Sequence, residues 1–304
     1  MFERVLVATD LEDGMYRLAL CLKDFHEGGV TQLGFVHAVP FGDRQMGGLP
    51  DSHDLDLGKA KDTIERYINP DLAAATISPE VIVQVGPPVE VIQRAVESFN
   101  ADVLVMAPPS RSLLAEKVFG SNTMKQIQQL KIPVLIVRPQ FVASMTIAEL
   151  QLRCRHLFDY LLVPCDLDRS RQSLLDMLSP MLCQQAKCES VLMMSVIDTA
   201  SRRYTDRDAE ELCQNAERQL RELGAYLAEQ VGHPLSVNYS VRKGSPVKEI
   251  LAAAQDEDVT AIVTSSRNIG KIWELTVPSI TGEIIRRSWH SVLFFPPAIA
   301  GGDS

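Results

Sequence analysis

A glycine, a serine and an asparagine in succession form a candidate phosphate-binding motif. Gly120, Ser121 and Asn122 stand at the start of a segment with helical spacing that continues to Leu130. Glycine lets the backbone approach a phosphate closely, serine offers a hydroxyl, and the unpaired N–H groups of a first helical turn attract anions. The same residues also suit a plain turn followed by a helix cap, so both interpretations stay open at this point.

Aspartates follow two similar apolar segments. Asp10 comes after the first apolar run of the chain, and Asp166 after a matching run in the second half. A carboxylate at the end of a strand can face a ligand at the mouth of a crevice, or it can cap the following helix. His37 and Ala38 end the next apolar run, and we interpret His37 as a packed strand histidine rather than a ligand-binding group or a base.

Several catalytic signatures do not occur in the sequence. There is no GxxxxGK[ST], no GxGxxG, no HExxH and no GxSxG. Carboxylates are plentiful, but most stand beside lysine and arginine on predicted helices, as in 208–223, which is typical of a solvated face. We find no nucleophile with its base and no spaced cluster of metal ligands, and we therefore do not predict a dedicated enzyme.

The composition narrows the choice of partners and compartment. The 304 residues include 39 acidic and 30 basic side chains, a formal net charge of −9 that argues against binding to nucleic acid or to an anionic membrane. Six cysteines without a CxxC motif favour a reducing compartment, and we expect Cys183 and Cys188 to be small buried apolar side chains. Neither a leader nor an apolar run of about 18 residues is visible, so we expect a cytoplasmic protein.

An internal repeat organises the chain. The segment 4–11 matches 160–167, 85–95 matches 243–253, and 119–139 matches 277–297. The offset is 156 residues between Asp10 and Asp166, and it is 158 between Ser121 and Ser279. A nearly constant offset over three separate blocks predicts two copies of one domain. We expect domain 1 over 1–140, a linker over 141–156, domain 2 over 157–298 and a tail over 299–304.

Apolar runs alternate with helical patterns in both copies. The predicted strands are 4–9, 32–39, 80–86, 102–107 and 133–139 in the first copy, and 160–165, 190–197, 235–242, 260–265 and 291–296 in the second. In the first copy we predict helices over 15–25, 58–75, 89–99 and 121–130, and a loop over 41–57. This alternation predicts the α/β class, with two tandem doubly wound domains that each contain a five-stranded parallel sheet.

Two further helices stand out in the pattern. The Thr146–Glu149 spacing is that of a capping box, which predicts a short helix in the linker rather than an irregular tether. The second helix of the second copy is expected over 205–231, longer than its counterpart because nothing there corresponds to Pro70.

The repeated motifs resemble the universal stress protein family in its tandem two-domain form. The resemblance rests on Asp10 and Asp166, on the V-G-x-P step at 85–88 (less closely 241–246), and on the last loop, helix and strand of each copy. Nucleotide-binding members carry G-x-x-G, nine residues, then G-[S/T]. That register falls on Ala107, Ser110, Gly120 and Ser121 in the first copy, and on Ser265, Asn268, Pro278 and Ser279 in the second.

The resemblance implies a Rossmann-like fold of the adenine nucleotide alpha-hydrolase type. It also implies an adenine nucleotide, ATP or AMP, with Mg if ATP is bound. In the family, the position of Asp10 lies near the adenosine, and backbone groups at the position of Ala38 contact adenine.

This sequence departs from the family motif in both copies. Pro108 and Pro109 remove two N–H donors from the first loop, although the Ser110 hydroxyl and the Arg111 charge could replace them. In the second copy Pro278 stands where a glycine is expected, which removes a donor at the start of a helix. We therefore expect nucleotide in domain 1 and a degenerate site in domain 2, with Asp166, Ser265, Asn268 and Ser279 as its weaker candidates.

Three functions fit these observations. The leading one is a non-catalytic stress-response protein that binds adenine nucleotide in domain 1. The alternatives are a weak ATPase, and a structural module whose two sites are vacant and which acts through protein partners. We also expect the final strands, which would otherwise be exposed apolar edges, to pair the two domains about a pseudo-twofold axis, and a homodimer is a further option.

Overall fold

The computed structural model describes residues 2–39, 52–68, 77–107, 129–167, 173–183, 188–199, 205–265 and 280–299. The chain divides into two compact units, one running from Phe2 to His156 and the other from Leu157 onward. The prediction of two tandem α/β domains is confirmed. Within the described residues, no helix is long and apolar enough to cross a membrane.

The first unit is built on a five-stranded parallel sheet. Its strands are β1 (Arg4–Ala8), β2 (Gln32–Val39), β3 (Glu80–Val85), β4 (Val103–Met106) and β5 (Val134–Ile136). They pair in the order β3-β2-β1-β4-β5, and each pair is parallel. Val5, Leu6 and Val7 are consecutive and completely buried, so both faces of β1 are covered.

The helices of the first unit differ in two places from the sequence prediction. Instead of one α-helix over 15–25, a 3-10 helix (Met15–Cys21) leads into α1 (Leu22–Glu27), a tighter winding that is common at helix starts. Helix α2 (Ser52–Glu65) begins inside the segment predicted as a loop. Glycine, aspartate and proline suggested that loop, but aspartate also favours helix N-termini. Helix α3 (Pro88–Phe99) agrees with the prediction.

Two short helices follow β5 and pack on the first unit. They are α4 (Pro139–Ser144) and α5 (Ile147–Arg155). Thr146 Oγ1 accepts the backbone N–H of Glu149 at 3.4 Å, and the Glu149 carboxylate accepts the N–H of Thr146 at 2.7 Å. This capping box confirms the predicted linker helix. Both helices contact the 3-10 helix and α5 also contacts α1, so the segment is docked along its length.

The second unit repeats the first. Its strands are β6 (Tyr160–Pro164), β7 (Ser190–Asp198), β8 (Ser236–Gly244), β9 (Ala261–Ser265) and β10 (Ser291–Phe295), paired in parallel in the order β10-β9-β6-β7-β8. Its helices are α6 (Ser173–Cys183), α7 (Asp206–Val231), α8 (Pro246–Asp256) and α9 (Ile280–Arg287). The 26 residues of α7 confirm the long helix predicted there.

One cysteine expectation is wrong in this unit. Cys188 is buried before β7, but Cys183 is exposed, because it is the last residue of α6 and lies beyond the buried stripe of that helix.

The same glycine turn connects the third strand to the next helix in both units. Gly86 has φ +150° and Gly244 has φ +146°, values that side chains disfavour. In each case a proline occupies the first helical turn, Pro88 in α3 and Pro246 in α8. The G-x-P sequence shared by 86–88 and 244–246 therefore encodes one conformation twice.

Candidate functional site

The strand order of the first unit creates a crevice between β1 and β4. From β1 the chain crosses first to β2 on one side, and later reaches β4 on the other side. Such a switch in direction leaves space beyond the carboxyl ends of the two strands, where ligands bind in open α/β sheets. Asp10 follows β1 and Ala107 follows β4, with Val7 paired to Val105 just before them. Two predicted site residues therefore border the same crevice.

The Asp10 carboxylate is exposed and is also part of the loop structure. Its Oδ1 accepts the backbone N–H groups of Glu12 and Asp13, each at 2.8 Å. These bonds close the turn after β1, rather than capping the first turn of the helix as one of our two interpretations had it. A carboxylate has about four lone-pair positions, so acceptor capacity remains for a ligand hydroxyl.

Thr9 and Asp13 are site residues that sequence reasoning missed. Asp13 is only 7% exposed. Its Oδ1 accepts the Thr9 hydroxyl at 2.8 Å and the N–H of Met15 at 2.9 Å, and its Oδ2 accepts the N–H of Asp10 at 3.4 Å. Burial raises the pKa of Asp13, and the bonds from Met15 and Thr9 partly oppose that rise. The available signal was a second aspartate three residues after Asp10.

His37 links the second strand to this loop. Its Nδ1 lies 2.9 Å from the carbonyl oxygen of Thr9. A carbonyl only accepts hydrogen bonds, so Nδ1 carries the proton, and in the neutral ring Nε2 is an acceptor. The side chain is half-buried, which agrees with a packed strand histidine. Ala38 is the next residue of β2, and its Cα is in register with Gln84 of β3.

The remaining candidates of the first unit lie outside the described residues. They are Ser110, Arg111, Gly120, Ser121 and Asn122. The half-buried Ala107 is the last described residue before them. The described residues therefore form the side of the crevice at β1 and β2.

The second unit brings Asp166 and Ser265 to the corresponding edge. Asp166 is exposed two residues beyond β6, and Ser265 is the buried last residue of β9, the neighbour of β6. The carbonyl of Ser265 accepts the hydroxyl of Thr281 at 3.1 Å, so the end of β9 and the start of α9 lie close together. Asn268 and Ser279 lie between these two points and outside the described residues. Within the described part of the chain, no cluster of His, Cys, Asp and Glu could hold a metal ion.

The family model named "Universal stress protein family" matches the sequence twice, over residues 1–138 and 158–296. The chain belongs to the universal stress protein family. The two matches correspond to the two units, so this is a tandem universal stress protein. No protein with a curated description matches the sequence significantly.

Two solved structures that span both units support the fold of this universal stress protein, and a third matches a single unit. A universal stress protein from Archaeoglobus fulgidus DSM 4304 is 21% identical, with 96% of each chain covered and a TM-score of 0.62. The protein PA1789 from Pseudomonas aeruginosa PAO1, described as functionally unknown, is 13% identical over 98% of this chain and 95% of that chain, with a TM-score of 0.53. A universal stress protein in complex with cAMP covers 45% of this chain and 96% of that chain, at 15% identity and a TM-score of 0.36.

Proposed function

We propose that this universal stress protein binds an adenine nucleotide, ATP or AMP, in its first unit and acts without catalysis. The observation that carries the proposal is the arrangement at the switch point. There the exposed Asp10 is held in a hydrogen-bonded turn just after β1. The neighbouring strand β4 leads through Ala107 into the segment that matches the phosphate-loop motif. Crevices of this kind bind nucleotides in many open α/β sheets.

The residues of the first unit divide the nucleotide between them. We infer that Asp10 accepts a ribose hydroxyl and that the backbone at Ala38 contacts adenine. The phosphates would lie against Gly120, Ser121 and Asn122 at the start of the helix that the sequence predicts, with the Ser110 hydroxyl and the Arg111 charge beside them. If ATP is the ligand, Mg would accompany its phosphates, because this cation prefers oxygen ligands and usually binds through substrate phosphates.

The second unit serves as a degenerate partner in this proposal. Pro278 gives no N–H and cannot adopt positive φ at the start of the helix. Proline at this position costs a phosphate donor that glycine would supply, so Asp166 and Ser265 keep a strand-end arrangement without the anion site.

A direct test is the small-molecule content of the purified chain. The protein is denatured, and the released nucleotides are separated and quantified against protein. We expect ATP or AMP at close to one equivalent per chain. Phosphate release from added ATP then separates binding from the weak ATPase alternative, because a binding protein leaves ATP intact. The proposal would be contradicted if the purified chain contained no nucleotide and also bound none on titration. That result would favour a structural module.

A further inference from the structure

Two buried cysteines lie where the linker helix packs on the first unit. Cys21 ends the 3-10 helix and is completely buried, and Cys154 lies in the last turn of α5 and is 4% exposed. Helix α5 packs on the 3-10 helix, and Arg155, the residue after Cys154, is bonded at 2.8 Å to Asp24, one turn after Cys21. Cys21 is also one of the groups that raise the pKa of Cys154, so the two cysteines are neighbours in this interface. A disulfide between them would require the two sulfurs to approach to about 2.05 Å.

The backbone at this point is packed closely on both sides. A Cβ at Gly28 would lie 2.9 Å from the carbonyl oxygen of Cys154 and 3.0 Å from that of Arg155. The end of α1 and the end of α5 therefore touch directly, and the two cysteines lie in a packed interface between helices rather than in a loop.

Charged groups beside the thiols control how readily α5 separates from α1. Arg155 donates to Asp24 Oδ1 and to Glu27 Oε2, each at 2.8 Å, and its side chain is 42% exposed. Burial, with contributions from Cys21 and Asp24, raises the pKa of Cys154 well above its ordinary value. The docked Cys154 is thus a protonated thiol, and its oxidation requires α5 to open.

We infer that Cys21 and Cys154 form an oxidisable dithiol whose disulfide locks the linker helix onto the first unit. A hydroperoxide oxidises the Cys154 thiolate, exposed when α5 opens, to a sulfenic acid and is itself reduced to water or an alcohol. The Cys21 thiol then attacks that sulfur, the S–S bond forms, and water leaves. Closing of α5 brings the two sulfurs together, so the disulfide forms in preference to further oxidation.

The test maps disulfides in the full-length reduced chain after treatment with hydrogen peroxide. Free thiols are alkylated, and trypsin then releases Cys21 in the peptide 18–23 and Cys154 in the dipeptide 154–155. We expect these two peptides joined, and separated again by a reductant. Cys183→Ser should still give the linked product, and Cys154→Ser should abolish it. If Cys21 and Cys154 stay reduced while the exposed Cys183 is fully oxidised, the inference is overturned.

A second measurement tests the role of α5 opening. Arg155→Ala should speed disulfide formation about tenfold or more, since a charge-assisted hydrogen bond contributes that much to an opening equilibrium. Arg153→Ala is the matched control, because Arg153 is an exposed arginine of the same helix. Equal rates in the two variants, with folding checked by circular dichroism, would show that opening of α5 does not govern the oxidation.

Discussion

Asp10 and Asp13 are three residues apart, yet their carboxylates lie in different surroundings. Asp10 is exposed beside the crevice, whereas Asp13 is buried under the turn and accepts hydrogen bonds from Thr9, Asp10 and Met15. The buried aspartate therefore shapes the loop that presents the exposed one. Because burial raises the pKa of Asp13, its ionisation at rising pH lowers the stability of the folded chain.

Replacing the buried carboxylate gives the first prediction. A raised pKa in the folded protein means that Asp13 favours folding below the ordinary aspartate pKa, and that this contribution is lost as the pH rises through the folded pKa. Asp13→Asn keeps an acceptor oxygen but does not titrate. Urea unfolding from about pH 4 to pH 7 should show the variant gaining stability relative to the original chain as the pH rises. Parallel profiles would contradict this.

A second prediction concerns Gly120. If its backbone meets a phosphate, a side chain there blocks the approach, and Gly120→Leu should weaken ATP binding at least about tenfold, or about 1.4 kcal/mol. Gly58→Leu is the control, since a Cβ at Gly58 meets nothing within 4 Å. Calorimetric titration measures both. Unchanged affinity in the Gly120 variant would mean that the nucleotide binds elsewhere.

At the scale of elements, the linker segment is held on the first unit by several contacts. The Arg17 guanidinium donates to the carbonyls of Val142, Ala143 and Met145 at the end of α4. The last carbonyl groups of a helix have no N–H donor within the helix, so the Arg17 guanidinium supplies the hydrogen-bond donors that they lack. Together with the Arg155 ion pairs, this contact makes α4 and α5 part of the first domain.

The close approach at Gly28 gives a third prediction. Gly28→Ala adds a Cβ at 2.9 Å from the carbonyl oxygen of Cys154 in α5. That oxygen is part of the helix backbone, so it cannot move unless the helix shifts. The backbone of Gly28 is right-handed, so the cost is steric alone, about 1–3 kcal/mol of unfolding free energy. Hydrogen exchange should also accelerate in α5. Gly58→Ala, in open space within α2, should instead stabilise by up to about 1 kcal/mol.

At the scale of the whole molecule, two units share a fold but differ in the residues that would hold a ligand. Both have an aspartate after the first strand and the same glycine turn after the third strand. They differ at Gly120 and Pro278, where the family motif expects glycine. A duplicated fold therefore does not imply two equal sites.

The difference predicts one nucleotide per chain. Native mass spectrometry with added ATP should show a single bound molecule. Asp10→Ala should weaken that binding about tenfold or more, because it removes a charged acceptor and opens the turn at Glu12 and Asp13. Asp166→Ala, the equivalent change in the second unit, should leave it unaltered. Two bound molecules, or sensitivity only to the second change, would refute the asymmetry.

The sequence alone determined the tandem α/β architecture. Strand and helix periodicities are local, and the repeat sets them out twice, so the strands fall where the apolar runs predict them. The Thr146–Glu149 cap and the glycine turn at Gly86 were readable for the same reason, since each depends on neighbours within a few residues.

Only the tertiary structure decided what these elements do to particular side chains. Whether Asp13 is buried depends on the packing of the 3-10 helix under the β1 loop, which no local pattern in the sequence reveals. Cys21 and Cys154 are brought together by the docking of α5, although they are far apart in the chain. Burial and long-range contacts arise from packing between elements, and no periodic pattern in the sequence shows which residues will meet in this way.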